Sequence, residues 1–408
     1  MEKIYDVILY GATGFTGKQT VKYFSENADK KLVKWAIAGR NKEKLGKIKK
    51  ELGESFNHID IVVADMNNEQ SIEDMVASTK VILTTVGPFA LYGEPVIKAC
   101  VKFNTDYVDI TGETTFIKKM IEKYHQEAKT KGIKIIPFCG FDSVPSDLGT
   151  LFAVDYFKTN FNLETTEVKA FFQAAGGING GTIASLVNLA ESDSLAALKD
   201  PEILNPIEYK NPGKKFADDN QSFYFDKDLN AWTAPFFMAP INTRVVRRSN
   251  ALFSEENKAY GKNFEYLERM YFDEIIPIKS SVISLITKVI SGIDKYPFIL
   301  KSVKNYLPAP GSGPSEKTMN TGYFKTWIIA KAQDNSKIKV FIYSKGDPGN
   351  KVTVKILCES ALSLCLQRDQ LPGGNEKGGI LTPATGLGFI LIERLKKQGF
   401  RFEIIRKY

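Results

Sequence analysis

The first 140 residues alternate between short apolar runs and longer amphipathic stretches. YDVILYG, VKWAIAGR, IDIVVAD, KVILTTVG, DYVDITG and IKIIPFCG are runs of the kind found in buried strands. Between them, stretches such as NKEKLGKIKKELGE place Leu45, Ile48 and Leu52 on one helical stripe. Because strands and helices alternate strictly, the pattern predicts an α/β fold with a doubly wound, Rossmann-type parallel sheet.

The alternation ends after CGFDSVPSDLG. TTEVKAFFQAAGG predicts a strand, YFKTWIIAKAQ and SKIKVFIYSKG predict antiparallel strands, and KGDPGN predicts a turn after them. Two further segments predict helices: GGTIASLVNLAES, and KVTVKILCESALSLCLQR, which is apolar on both faces. We therefore predict a Rossmann domain over 1–150, with 378–408 returning to it. Residues 151–377 form a second, mixed α/β domain for substrate, membrane or dimer contacts.

Residues 275–307 carry an apolar stripe flanked by lysines. Its apolar positions recur at helical spacing, namely Val282, Leu285, Ile286, Val289, Ile290 and Ile293. Three interpretations stay open: a packed core or dimer helix, a lid over an apolar pocket, and an interfacial helix. A homodimer and a peripheral membrane contact are accordingly both open. No apolar run reaches the roughly 18 residues of a membrane-spanning helix.

Charge and composition narrow the classes of partner. The 408 residues include 55 Lys and Arg against 47 Asp and Glu, a net charge of +8, with the lysines scattered along the chain. This distribution argues against a nucleic-acid partner. The four cysteines form no CxxC pair and the two histidines lie far apart, so no metal site is expected. Without a signal-peptide pattern at the N-terminus, we expect a cytoplasmic protein.

A glycine-rich turn, GATGFTG, directly follows the first predicted strand and opens the first helix. In this position glycines allow a tight turn, a close approach of pyrophosphate to the backbone, and close packing of the helix on the sheet. The helix N-terminus adds free N–H groups for the phosphates, and threonines add hydroxyls. The predicted cofactor-binding residues of this turn are Gly11, Thr13, Gly14, Phe15, Thr16 and Gly17.

The end of the second strand distinguishes the two nicotinamide cofactors. NAD sites usually carry Asp or Glu about 20 residues after the turn, to bind the ribose 2′-hydroxyl. Here the chain reads AGRNKEKL, so Arg40 and Lys44 take that place. A guanidinium pairs with a 2′-phosphate, and NADP(H) is therefore favoured over NAD(H). Asp65 ends the third strand, where its carboxylate is suited either to the adenine amino group or to capping a helix.

Several motifs together resemble the saccharopine dehydrogenase-like oxidoreductases, in the branch of the trans-acting enoyl reductases. They are GATGFTG, AGRNKEKL, VGPFALYGEPVIKAC, DYVDITGE, PFCGFDSVPSDLG, YSKGDPGN and GGILTPATGLGFILIERL, which cover most of the chain. The resemblance implies a Rossmann domain, a mixed second domain and a nicotinamide cofactor. It leaves the substrate open, because saccharopine dehydrogenases act on an amino-acid conjugate, whereas these enoyl reductases reduce a double bond in long-chain lipid intermediates.

Candidate chemistry follows from where the nicotinamide is expected, over the ends of the fourth to sixth strands. Val86, Gly87 and Pro88 are predicted to shape the backbone there. Polar candidates for a proton donor or an oxyanion partner are Thr85, Tyr92, Thr111, Glu113, Asp142 and Ser143, of which Tyr92, Glu113 and Asp142 are preferred. The Tyr-x-x-x-Lys pair of short-chain dehydrogenases is absent, since Tyr92, Tyr107 and Tyr124 are not followed by lysine at that spacing.

We therefore predict an NADP(H)-dependent oxidoreductase that reduces a C=C or C=O group of an apolar, acyl-chain substrate. Two alternatives remain. One is a nucleotide-binding module without turnover, associated with a membrane or lipid surface. The other is an amino-acid dehydrogenase of the saccharopine type, which requires an arginine-lined pocket for carboxylates. Arg244, Arg247 and Arg248 in NTRVVRRS are candidates for that pocket.

Overall fold

The computed structural model describes residues 3–54, 57–177, 200–211, 216, 222–273, 276, 278–281 and 312–407. Two seven-stranded sheets organise these residues. The first sheet is parallel throughout, and the second combines parallel and antiparallel pairs. The predicted fold class, a Rossmann-type sheet with a second mixed α/β part, is confirmed.

The first sheet contains all six predicted strands and one more. Its strands are β1 (Tyr5–Tyr10), β2 (Trp35–Gly39), β3 (Asp60–Val63), β4 (Thr79–Thr84), β5 (Asp106–Val108), β6 (Lys134–Ile136) and β13 (Gly379–Ile380). They lie in the order β3-β2-β1-β4-β5-β6-β13. The order reverses direction between β1 and β4, and doubly wound sheets bind ligands beyond the carboxyl ends of strands at such a point.

Helices connect these strands as the periodicity predicts. They are α1 (Phe15–Asn27), α2 (Lys42–Leu52), α3 (Glu69–Ala77), α4 (Phe89–Phe103), α5 (Thr114–Thr130) and α6 (Val144–Phe161). On α2 the predicted stripe is buried at Leu45 and Ile48 and partly exposed at Leu52. Val7 and Ile8 in β1 are fully buried, because both faces of a central parallel strand are covered.

The second sheet contains β7 (Thr165–Ala175), β8 (Tyr224–Asp226), β9 (Ala231–Pro235), β10 (Glu265–Phe272), β11 (Tyr323–Ala332), β12 (Lys337–Lys345) and β14 (Arg401–Lys407). Their order is β14-β12-β11-β7-β10-β9-β8. The predicted antiparallel pairing of β11 with β12 is confirmed, with Trp327 opposite Phe341. Helices α7 (Ala239–Glu255) and α8 (Glu316–Thr321) belong to the same part of the chain.

The late part of the chain is shared between the sheets. Helix α9 (Thr353–Leu366), predicted within 151–377, contacts β4, β5 and α1 of the first sheet. Helices α10 (Pro383–Gly386) and α11 (Gly388–Lys397) follow β13. Of residues 378–408, predicted to return to the first domain, Gly379–Ile380 joins the first sheet, whereas Arg401–Lys407 forms an edge strand of the second sheet. That strand pairs antiparallel with β12, which offers it free backbone groups.

A buried ion pair holds α9 in place. Glu359 of α9 accepts hydrogen bonds from Tyr23 of α1 (2.9 Å) and from Arg394 of α11 (2.7 Å). Burial raises the pKa of Glu359, and the charge of Arg394 opposes that shift. Because apolar faces of neighbouring elements surround α9, its own sequence is apolar on nearly every side.

Two predicted helices fall largely outside the described residues: GGTIASLVNLAES and most of 275–307. Ile276 and Ile278 of the latter are described, and both are exposed. In the part of the chain that the structure describes, no helix has the length and apolar character needed to cross a membrane. The described residues also contain no cluster of three or more His, Cys, Asp and Glu side chains that could hold a metal ion.

Candidate functional site

The turn between β1 and α1 leaves no room for side chains at two of its glycines. Gly11 has a φ of 95°, a region that favours glycine. A Cβ atom on Gly11 would lie 2.8 Å from both Thr85 Oγ1 and Val86 Cγ2, and one on Gly17 would lie 2.0 Å from the Gly11 carbonyl oxygen. The first turn of α1 therefore rests directly on the backbone at the end of β1.

The amino end of α1 is open to an anion. Gly14 is exposed and occupies the N-cap position, where no side chain accepts from the first turn and no acidic residue follows. The Gly14 N–H donates to the Gly11 carbonyl (3.0 Å), which fixes the turn. Thr13 and Thr16 are partly exposed beside it. Free N–H groups and the positive end of the helix dipole suit the pyrophosphate of a dinucleotide.

Phe15 links this turn to the second half of the chain. Its side chain is half-buried, and a Cβ atom on Gly313 would lie 2.2 Å from its ring. The Gly313 backbone therefore lies flat against the Phe15 ring. A glycine is needed there because any side chain would push the segment away from α1.

Arg40 and Lys44, predicted to select the cofactor, are both exposed after β2. Neither forms an ion pair with the residues that the structure describes. Asn41 caps α2 by accepting from the Lys44 backbone N–H (2.9 Å). This cap fixes the backbone beside Arg40, and the guanidinium of Arg40 stays available to a phosphate.

Asp65 follows the end of β3 and does not cap α3. Its carboxylate accepts from the Asn67 N–H (3.0 Å), while Asn68 caps α3 through the Ser71 N–H (3.2 Å). Burial raises the pKa of Tyr10 to about 12. The negative charge of Asp65 adds to this rise, and the positive charge of Arg40 opposes it. Charges from the ends of β2 and β3 thus meet around the last residue of β1.

The segment Val86, Gly87 and Pro88 runs beside the glycine turn. The Thr85 N–H donates to the Tyr10 carbonyl (3.0 Å), which continues the pairing of β4 with β1. The Gly87–Pro88 peptide bond is cis, and Gly87 is exposed. Val86 therefore lies against the Gly11 backbone at the carboxyl ends of β1 and β4. This segment is the one predicted to shape the backbone near the nicotinamide.

Glu113 binds the start of α4. Its side chain is 3% exposed, and its two carboxylate oxygens accept from the backbone N–H groups of Phe89 (2.9 Å) and Ala90 (2.8 Å). Thr111 orients it, because its Oγ1 accepts from the Glu113 N–H (3.0 Å). Glu113 therefore satisfies helix donors that lack partners, a structural role for a residue that the sequence placed among the catalytic candidates.

Replacing Glu113 with alanine should lower the free energy of unfolding by about 2–4 kcal/mol, because two backbone donors lose their acceptor. Urea unfolding measures the effect. As a control, Glu122→Ala removes an exposed carboxylate from α5 that forms a surface ion pair with Lys118, and should cost less than about 1 kcal/mol. Equal stabilities of the two variants would contradict the capping role.

Asp142 lies between β6 and α6 and is only partly exposed. Desolvation by the surrounding protein raises the pKa of Asp142 to about 6. Within the described residues its carboxylate has no hydrogen bond or ion pair. Its neighbours are fixed: the Phe141 N–H donates to Thr353 Oγ1 (3.1 Å), and the Ser143 hydroxyl to Asn242 Oδ1 (3.2 Å). A carboxyl group with this pKa, held at a strand end, is suited to proton transfer.

Known proteins resemble this chain over nearly its whole length. The family described as Saccharopine dehydrogenase NADP binding domain matches residues 7–136. A relative from Mycobacterium tuberculosis is 34% identical over 98% of both chains. A trans-acting enoyl reductase from Mycobacterium bovis is 33% identical over 98% of this chain and 97% of its own. The chain belongs to the saccharopine dehydrogenase-like oxidoreductase family.

The fold of this saccharopine dehydrogenase-like protein agrees with a distant solved structure. The apo saccharopine dehydrogenase (L-Glu forming) from Saccharomyces cerevisiae has a TM-score of 0.57 at 10% identity, over 98% of this chain and 100% of that one. At this identity the likeness concerns the fold alone.

The arginines considered for a carboxylate pocket in the saccharopine type are buried in structural contacts. Arg247 donates to the Pro201 carbonyl (3.1 Å), and Arg248 donates to the carbonyls of Leu204 and Ile380 (2.6 Å to the latter). Arg244 is 5% exposed and its charge acts on Asp200. Arg247 and Arg248 therefore hold the segment 200–205 against α7, and the side chains of all three arginines are buried.

Two features of this site come from the second half of the saccharopine dehydrogenase-like chain and were not predicted. A turn of π-helix at Pro348–Val352, in the motif KGDPGN, precedes α9 and brings Thr353 to Phe141. The sequence identifies the turn but not its partner. Asn242 is fully buried, and its Nδ2 has no hydrogen-bond partner among the described residues. Nothing in the local sequence PINTRVV distinguishes it.

Proposed function

We propose that this protein is an NADPH-dependent reductase of a C=C bond in an acyl substrate. The observation that carries the cofactor preference is the exposed guanidinium of Arg40, which forms no ion pair within the described residues, together with the open amino end of α1. The reaction type follows from the relative named a trans-acting enoyl reductase, which matches nearly the full length of both chains.

The residues fit the cofactor. The backbone at Gly11, Gly14 and Gly17 would receive the pyrophosphate, since a Cβ on Gly17 would fill the space that brings α1 onto the strand end. Arg40 and Lys44 would pair with the 2′-phosphate, and Asp65 would accept from the adenine amino group. Val86, Gly87 and Pro88 would border the nicotinamide ribose.

The chain's own contribution to the chemistry is a proton. When bound, the nicotinamide cofactor would supply the hydride that one carbon of the double bond needs. Asp142 donates the proton that the other carbon needs, and it is partly exposed, so it regains a proton from solvent. The saturated product thus gains one hydride and one proton. Tyr92 lies in the first turn of α4, 39% exposed, and contributes its ring to the same edge.

Exchanging Arg40 for aspartate should weaken NADPH binding by about 100-fold or more and leave NADH binding unchanged or stronger. The variant loses charge-assisted hydrogen bonds to the 2′-phosphate and repels it, whereas a ribose 2′-hydroxyl gains an acceptor. Fluorescence titration with both cofactors measures the effect. Lys47→Asp, an equal charge change at an exposed position of the following helix α2, is the control and should alter NADPH affinity less than threefold. If wild type bound NADH more tightly than NADPH, the cofactor assignment would fail.

A further inference from the structure

Three large apolar side chains are exposed on the two segments that meet at the loop after β5. They are Leu91 (59% exposed), Tyr92 (39%) and Phe237 (56%), together the apolar rim. Isolated exposed apolar residues are ordinary on any protein surface. A group of them at the mouth of a ligand crevice is a different case, because leaving it exposed loses the free energy that its burial would contribute.

One loop brings the members of the apolar rim together. The Glu113 carboxylate accepts from the N–H groups of Phe89 and Ala90, which places Leu91 and Tyr92 directly after it on α4. A Cβ atom on the preceding Gly112 would lie 3.3 Å from Ile241 Cδ1, so the start of α7, which follows Phe237, contacts the same loop. The rim residues therefore lie on the two segments that adjoin the loop after β5, at the carboxyl edge of the first sheet.

A row of phenylalanine rings connects the apolar rim to Asp142. Phe237 contacts Phe236 edge-on at 5.1 Å between ring centroids, and Phe236 stacks on Phe172 at 4.6 Å. Phe172 in turn meets Phe141 at 6.4 Å, and Phe141 directly precedes Asp142. The buried rings fix the position of Phe237 relative to the carboxyl group that the proposed reaction uses.

We propose that the apolar rim binds the acyl chain of the substrate and that Phe237 is its specificity-determining residue. This rests on the proposed function, since the chain must extend from a double bond placed beside Asp142. An unbranched apolar chain is the occupant that the geometry favours, because it would lead away from the reacting carbons along a surface of exposed rings and a leucine. The rim therefore determines how strongly chain length contributes to binding.

The test measures binding of cis-parinaric acid, a fluorescent 18-carbon fatty acid, to the full chain with saturating NADP⁺. Phe237→Ser should weaken binding by about tenfold or more, because the truncated side chain buries less of the acyl chain. Phe237→Trp should bind like wild type. The matched control is Phe161→Ser, at the end of α6, where the phenylalanine is 50% exposed and distant from the strand ends. It should change affinity less than twofold.

NADPH titration of every variant separates the failure modes. Unchanged parinaric acid binding by Phe237→Ser, with intact NADPH binding, would overturn the proposal and leave the proposed function standing. Equal losses in the Phe237→Ser and Phe161→Ser variants would also overturn it. A change from dimer to monomer in Phe237→Ser with unchanged parinaric acid binding would make the rim a self-association surface instead. If wild type bound no NADPH, the proposed function itself would fail.

Discussion

Gly17→Ala should weaken NADPH binding by at least about 100-fold, although alanine is the better helix-forming residue. The added Cβ would lie 2.0 Å from the Gly11 carbonyl oxygen, a distance that no non-bonded pair tolerates. Because the obstacle is backbone, α1 must move by about 1 Å or more to relieve it. The N–H groups at its amino end move with it and lose their alignment with the pyrophosphate.

The control for this variant is another helical glycine. Gly46 in α2 has no atom within 4 Å of the position that a Cβ would occupy. Gly46→Ala should therefore raise the free energy of unfolding by about 0.5–1 kcal/mol and leave NADPH affinity unchanged. Fluorescence titration and urea unfolding are run on both variants. If Gly17→Ala kept wild-type affinity, the glycine turn would not be the pyrophosphate site.

Asp142→Asn should lower kcat for reduction of an enoyl thioester by about 10²–10⁴-fold and leave NADPH affinity within twofold. Asparagine keeps the shape of the side chain but has no proton to donate. Burial raises the pKa of Asp142 to about 6, so the acid form is present below that pH and is lost above it. Wild-type kcat should accordingly fall as pH rises through about 6. The residual activity of the variant should lack this dependence.

Asp155→Asn provides the comparison on the same helix. Asp155 is half-buried in α6, about three turns after the helix begins, and its substitution should leave kcat and its pH profile unchanged. An Asp142→Asn variant with wild-type kcat would show that the proton comes from another group. Wild type that binds NADPH but never oxidises it, with any enoyl or keto thioester offered, would favour the nucleotide-binding module without turnover.

The stability of Asp142→Asn should change in the opposite sense from its activity. A carboxyl whose folded-state pKa is raised destabilises the fold as pH rises from its unfolded value near 4 to its folded value of about 6. Above that window asparagine avoids the cost, so the variant should unfold at a higher urea concentration than wild type at pH 7. A residue that costs stability and supports activity is typical of functional sites.

The sequence predicts the first sheet well because each of its elements has a local signal. The apolar runs, the helical stripes and the glycine turn all lie within short windows, and the close packing expected at Gly17 is present. The short strand Gly379–Ile380 has too few residues to show any periodicity. The apolar, alternating pattern of Arg401–Lys407 predicts a strand equally well in either sheet, so its partner β12 could not be read from it.

The parts of the site that sequence reasoning missed depend on contacts between distant residues. Thr353 meets Phe141, 212 positions earlier, and Gly313 lies on Phe15. Neither contact has a local pattern, because a glycine or threonine is compatible with many neighbours. Glu113 was recognised as a candidate from its position after β5, but only the geometry distinguishes a cap for α4 from a catalytic carboxylate.

The way α9 and β13 complete the first sheet has a consequence for biosynthesis. Residues 7–136 leave the ribosome long before Glu359 can join Tyr23 and Arg394, and before Gly379 can pair with Lys134. Until then, the nascent chain has an unpaired edge at β6 and an uncovered apolar surface near α1, both of which favour aggregation. The first sheet is therefore completed only after Glu359 and Gly379 have been synthesised, and its unpaired edge is exposed to aggregation during that interval.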